Sequence, residues 1–294
     1  MRALWRGHHR HGLRVLQARG PGQAVILSQA GRTADELIFL GTAGGRMAVA
    51  SQARASGGLW AVLGGTRVHI DPGPGALVQV HTRSLRLDPG RLDAVILTHK
   101  HLDHAGDVNA IVEAMTGGGH RPRGTILAPR DAYEDDPVVF QYVRGYVASI
   151  GHLVEGGSHT LGRLRVETPL RLRHPVETYG LRLVTPDLTV SLISCTAYFD
   201  ELVGAFAGDV LILNTLSRVR RDDTHLCLDD SIRLISAIRP RLAILTHFGL
   251  TMVRARPWEL ADTASQSTGI RTIAARDRQR LDLTPYAGSA AATD

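Results

Sequence analysis

The sequence predicts an α/β protein in which two β-sheets lie face to face between outer layers of helix, an αββα sandwich. Three observations lead there. Short apolar runs open the body of the chain, separated only by glycine turns. Runs with helical spacing come later, after or between further apolar runs. Both halves contain several strands, apolar enough for sheets that are covered by helices on one face. A doubly wound parallel sheet fits less well, because it would need helices between the opening strands.

In chain order, residues 36–41, 59–63 and 67–70 read as the opening strands, and 94–98 is a fully apolar run that ends in a histidine cluster. Residues 107–115 have helical spacing, and 131–148 reads as a longer helix with Pro137 as a break. Strands are expected at 164–167, 181–184 and 190–193, a helix-like stretch at 198–206, then strand 210–214, helix 229–238 and strand 242–245. A helix near 257–266 and strands near 272–274 and 280–283 close the domain. No repeat of solenoid length and no linker divides this body.

The expected organisation is a flexible basic segment over residues 1–34 and one domain over 35–294. The first 34 residues hold six arginines and no acidic residue, and they read as a solvated tail or an upstream extension. His8, His9 and His11 within it could take up a metal adventitiously, but nothing nearby would fix a geometry. The tail accounts for the whole net charge of +6, so the body offers no global argument for binding nucleic acid. Lys100 is the only lysine, against 33 arginines, which is composition bias rather than local chemistry. No apolar stretch is long enough to span a membrane, and the N-terminal arginines are not followed by the apolar core of a secretory signal. The two cysteines, Cys195 and Cys227, cannot build a disulfide framework, so a cytoplasmic location is expected.

The strongest signal is Thr98-His99-Lys100-His101-Leu102-Asp103-His104, followed by Ala105-Gly106-Asp107. Three imidazoles and a carboxylate within six residues are the donors that borderline divalent ions prefer. His99 and His101 are two apart, so an extended segment points both side chains the same way. Asp103 and His104 continue round the turn and can face a second ion. Strand ends are also where open sheets place their chemistry.

With Phe39-Leu40-Gly41-Thr42-Ala43-Gly44-Gly45 before it and Ile70-Asp71-Pro72-Gly73 leading in, this motif resembles the metallo-β-lactamase superfamily, and its ribonuclease Z-like and phosphodiesterase-like branch in particular. The similarity runs from about Leu37 to about Leu283. It implies the metallo-β-lactamase fold and a hydrolase with two divalent ions, zinc first, with manganese or iron as alternatives. It also implies further ligands. His174, ahead of Tyr179-Gly180, fits the third motif of the family, and His247 in Thr246-His247-Phe248-Gly249 fits the fifth. Asp71 matches an aspartate that orients the histidine loop, although an Asp-Pro-Gly turn would use it too.

The fourth motif departs from the family. The aspartate expected to bridge both ions is replaced by Cys195, in Ser194-Cys195-Thr196. A thiolate is a good zinc ligand, and a small buried thiol is the other reading. His225, in Thr224-His225-Leu226, resembles a histidine that the family places near the scissile phosphate; a helix-entry histidine without a catalytic part is the alternative. The glutamate that partners it in the family is Asn214 here.

Two such ions can share a hydroxide and polarise a phosphoryl or carbonyl oxygen, so hydrolysis needs no side-chain nucleophile, and Asp103 and His225 carry the catalytic roles. No nucleophile elbow or phosphate loop competes. His174 and Cys195 are too close in sequence to hold the arm with which ribonuclease Z grips transfer RNA. A small phosphodiester or cyclic phosphodiester is therefore the expected substrate, and transfer RNA is not. An ester, lactone or β-lactam hydrolase of the same fold, or a metal-binding sensor or scaffold without turnover, are the alternatives. Oligomerisation is left open.

Overall fold

A computed structural model describes residues 34–288, and the basic segment expected over 1–34, with its three histidines, lies outside them apart from Ala34. The strands in chain order are β1 (Glu36–Phe39), β2 (Leu59–Leu63), β3 (Thr66–Ile70), β4 (Ala94–Ile96), β5 (Thr125–Ala128), β6 (Ser149–His152), β7 (Gly157–Leu161), β8 (Leu164–Thr168), β9 (Leu181–Val184), β10 (Thr189–Ile193), β11 (Val210–Ser217), β12 (Leu226–Cys227), β13 (Leu242–Thr246), β14 (Thr272–Ala274) and β15 (Gln279–Asp282). The helices are α1 (Gly45–Ala50), α2 (Ala76–Val80), α3 (Leu102–Ala105), α4 (Val108–Thr116), α5 (Gln141–Arg144), α6 (Glu201–Ala205), α7 (Leu228–Ile238), α8 (Leu250–Arg254) and α9 (Pro257–Thr268).

The strands form two mixed sheets. One has the order β15-β1-β2-β3-β4-β5-β6, and the other β14-β13-β11-β10-β9-β8-β7 with β12 added on β11. In the first, β15 through β3 pair antiparallel and β3 through β6 parallel. In the second, β14 through β10 are parallel and β10 through β7 antiparallel.

Side-chain alternation places three cores. Leu37, Phe39 and Ile70 of the first sheet meet Leu181, Ile212 and Ile244 of the second between the sheets. Ile38, Trp60, Val62 and Val95 point the other way and pack on Val108, Ile111, Val112 and Met115 of α4. Leu211, Leu213 and Leu245 pack outward on Leu234 and Ile235 of α7 and Ala261 of α9. The αββα sandwich is therefore the observed architecture. Central strands such as β2 are buried on both faces, which is why they read as unbroken apolar runs. In β8, Leu164 and Val166 face the core while Arg165 is exposed, giving the alternation of a half-covered strand.

One expected element is corrected. Residues 131–148 are not a long helix: they hold only the end of a single-turn 3-10 helix (Arg130–Ala132) and the short α5. Asp136, just before Pro137, has φ +56°, outside the helical range, and Tyr133 and Val139 reach the outer face of the first sheet from irregular chain, with Val143 joining them from α5. The helix-like stretch 198–206 contracts to α6.

Candidate metal centre

The site is built where parallel strands end. β4 runs out at Ile96, and two residues later the chain enters the histidine loop. His101 stands just before α3, so Asp103 and His104 are carried on one short helical turn, and the His104 amide donates to the His101 carbonyl at 2.9 Å. His174 lies between β8 and β9, and its loop is tied to the histidine strand where the Tyr179 amide donates to the Thr98 carbonyl at 3.0 Å. Cys195 follows β10, and His247 follows β13 with φ +59°.

These side chains converge into overlapping groups. Ring nitrogens of His99, His101 and His174 lie within 4.8 Å of one another, as do the donor atoms of Asp103, His104 and His247, and those of His99, His104 and Cys195. His101 Nδ1 and His174 Nε2 are 3.1 Å apart, and His104 Nε2 and His247 Nε2 are 2.9 Å apart. Asp103 Oδ2 is 3.3 Å from His247 Nε2 and accepts from the Gly45 amide at 3.1 Å. All seven donors named from the sequence are therefore brought together.

Asp71 stands behind them, itself at φ +52°. Its Oδ1 accepts from the Thr98 amide at 2.7 Å, and its Oδ2 accepts from the Thr98 hydroxyl at 2.7 Å and meets His104 Nδ1 at 2.8 Å. This leaves His104 Nε2 to face the site. His225 is at the rim, its ring edge-on to that of His174 with centroids 5.0 Å apart.

Three features had escaped the sequence. Asp222 Oδ1 lies 3.0 Å from His225 Nδ1 and supplies the carboxylate that Asn214 cannot. Asn214 instead points its amide at Ser194 Oγ, 3.5 Å away, and at Cys195 Sγ, 3.7 Å away. The Gly45 amide on Asp103 was hidden because a backbone donor leaves no residue signature. The aspartate three positions before His225 was the one available signal for the dyad.

The buried donors divide into two electrostatic groups. Burial opposes the charge on His104, yet Asp103, Cys195 and Asp71 outweigh it and hold the ring well above its ordinary value. Burial also opposes His247, and Cys195 and Asp103 raise it to about 9. Burial works against ionising Asp103, but the charges of His104 and His247 keep its carboxyl far below the usual range. Cys195 is lowered in the same way by His247 and His104 against its burial. His99, His101 and His174 go the other way, pushed down mainly by burial. His225 is raised: burial works against it, and Cys195 and Asp222 prevail.

The donors fit divalent ions on one further observation. His99 Nε2 is fully buried and has no hydrogen-bond partner among the described residues, and its ring lies 4.0 to 5.0 Å, centroid to centroid, from those of His104, His101 and His174. A buried polar atom left unpaired is costly, and a metal bond is a way to satisfy it.

The family model described as beta-lactamase superfamily domain matches residues 66–248. An uncharacterized protein of Methanocaldococcus jannaschii, MJ1374, is 32% identical over 260 residues, covering 84% of this chain and 95% of that one. Ribonuclease BN of Salmonella gallinarum is 29% identical over 170 residues, 52% of this chain and 50% of its own. Among solved structures, the metallo-beta-lactamase fold protein YhfI from Bacillus subtilis superposes with a TM-score of 0.69 at 21% identity, covering 85% of this chain and 99% of that one. The chain belongs to the beta-lactamase superfamily and has the metallo-β-lactamase fold of its hydrolases. No helix among the described residues is long and apolar enough to cross a membrane.

Proposed function

We propose that this chain is a hydrolase of small phosphodiesters or cyclic phosphodiesters, in which a pair of divalent ions would be held by His99, His101 and His174 and by Asp103, His104 and His247 with Cys195. The observation that carries this reading is the partnerless His99 Nε2 inside a convergent set of seven donors. A pair of divalent ions supplies a water nucleophile near neutral pH and charge neutralisation on a phosphoryl oxygen. Zinc suits the imidazole and thiolate set best.

The chain's own residues do the rest. Asp71 keeps the His104 ring turned and protonated on Nδ1. Asp103 is fixed by the Gly45 amide, so its carboxylate does not swing away from the centre. His225 stands beside His174 with Asp222 on its Nδ1, an arrangement suited to a proton donor acting through the other ring nitrogen. The similarity to a protein named as a ribonuclease, over half of each chain, supports a phosphodiester as the bond attacked. The short connection between β8 and β10 leaves no arm for a large nucleic acid.

The test is elemental analysis of protein purified without a histidine tag, followed by hydrolysis of bis-p-nitrophenyl phosphate with and without chelator. About two ions per chain and chelator-sensitive turnover are expected. Failure to take up metal after reconstitution would sink the reading, and turnover of esters or lactones alone would replace the phosphodiester.

A further inference from the structure

The two departures from the family motifs, Cys195 and Asn214, are neighbours in space. Asn214 is buried and its amide nitrogen is 3.7 Å from Cys195 Sγ, a donor pointed at a sulfur. An amide donor suits a thiolate acceptor, whereas a carboxylate at that position would repel one.

The sulfur clusters with one histidine of each donor group, His104 and His99. Its Sγ is 3.5 Å from His104 Nε2 and 3.7 Å from His247 Nε2, both in the second group. With zinc–sulfur and zinc–nitrogen bonds of about 2.3 and 2.0 Å, two ligands of one tetrahedral ion stand about 3.5 Å apart, so these spacings are those of shared coordination. The sulfur also lies within 4.8 Å of a ring nitrogen of His99, in the first group. His99 Nε2 is buried without a hydrogen-bond partner among the described residues, and the His99 and His104 rings lie tilted at 49° with centroids 4.0 Å apart. Each group offers three donors and lacks a fourth, and one sulfur, which has several lone pairs, reaches both.

We propose that Cys195 bridges the two ions through its thiolate, with the Asn214 amide positioning the sulfur by an N–H···S contact. This rests on the dinuclear reading and gives it a specific consequence. The thiol proton is released to solvent as the ions bind, and the bridge selects thiophilic ions, zinc, cadmium and cobalt, over magnesium and manganese.

The experiment loads the full-length, metal-stripped chain with two equivalents of an NMR-active cadmium isotope and correlates cadmium with cysteine β-protons. Two cadmium resonances are expected, both shifted into the thiolate range and both correlated with one cysteine. Cys227→Ser should leave the spectrum intact, since Cys227 bonds Asp230 at the start of α7. Two resonances with only one correlated would make Cys195 a terminal ligand and overturn the bridge. Two with none correlated would make it a structural thiol and also overturn it. Both outcomes leave the dinuclear reading standing, whereas the absence of any bound cadmium or zinc would overturn both. Because the decisive spectrum comes from the native sequence, a Cys195→Ser protein that fails to fold does not blunt the test. In Asn214→Asp the bridge predicts that the two cadmium signals shift together, and a change in neither would remove Asn214 from its positioning role.

Discussion

Asp71 Oδ2 and His104 Nδ1 are 2.8 Å apart, and this bond decides which nitrogen of His104 faces the centre. Asp71→Asn keeps an acceptor for the Thr98 amide but offers the ring a donor, which favours a proton on Nε2, the wrong nitrogen. The variant should fold and bind metal about 10- to 100-fold more weakly, the usual cost of losing such an outer partner. Chelator competition measures it, and native affinity would reduce Asp71 to a turn residue.

His225 should matter in proportion to the leaving group. His225→Ala is expected to slow hydrolysis of poor leaving groups by about 10²- to 10⁴-fold, the usual span for a general acid, and nitrophenolate esters far less. Parallel rates on an alkyl and a nitrophenyl phosphodiester give the answer. Equal losses on both would end the proton-donor role and leave the metal chemistry untouched.

Gly44 is required by its neighbour rather than by its backbone. Its φ of −134° is open to any residue, but a Cβ there would sit 2.2 Å from His247 Nδ1 and 2.3 Å from the His247 carbonyl oxygen. Gly44→Ala should therefore displace His247, cost about 1–3 kcal/mol of stability as overpacking does, and drop metal content from two ions towards one. Thermal unfolding with elemental analysis tests it. A variant with two ions and unchanged stability would contradict the contact.

His69 makes the protein acid-sensitive apart from any metal. It is fully buried, its Nε2 meets the Gly57 carbonyl at 2.8 Å, its Nδ1 has no partner among the described residues, and burial pushes its pKa down from 6.5 to about 4. The unfolded chain takes up this proton first, so the group contributes full stability above pH 6.5 and loses it as the pH falls towards about 4. The loss approaches about 3 kcal/mol. Urea unfolding of chelator-treated protein at pH 7.5 and 4.5 should show a pH difference smaller by about 2–3 kcal/mol in His69→Gln. An unchanged difference would mean that His69 is not the group titrating.

The histidine loop was legible because the sequence clusters it: four donors within six residues, after a run that could only be a buried strand. His174, Cys195 and His247 stand alone in sequence and were found through the family pattern, since one histidine after a strand carries little information. Asp222 was missed because the carry-over looked for an acid at 214, on the strand, whereas the structure supplies one from the loop. The body's strands were legible where both faces are buried and weak at the edge, where β6 is mostly exposed. The long helix expected over 131–148 failed because apolar spacing alone did not show that its side chains dock from an irregular path.

His104 and His247 are 143 positions apart in the chain, and His101 and His174 are 73 apart. Contacts of such span are reached late, after the loop-closure entropy of the intervening chain has been overcome. Ions that need donors from both halves cannot draw the halves together, but they can slow their parting. In kinetic experiments zinc should lower the unfolding limb of the chevron and leave the folding limb nearly in place, the outcome expected when a centre of such long-range contacts forms after the transition state. An equal acceleration of folding would instead place the centre in the nucleus. With the folding limb unchanged, the protein's lifetime, more than its speed of assembly, would follow the zinc supply around it.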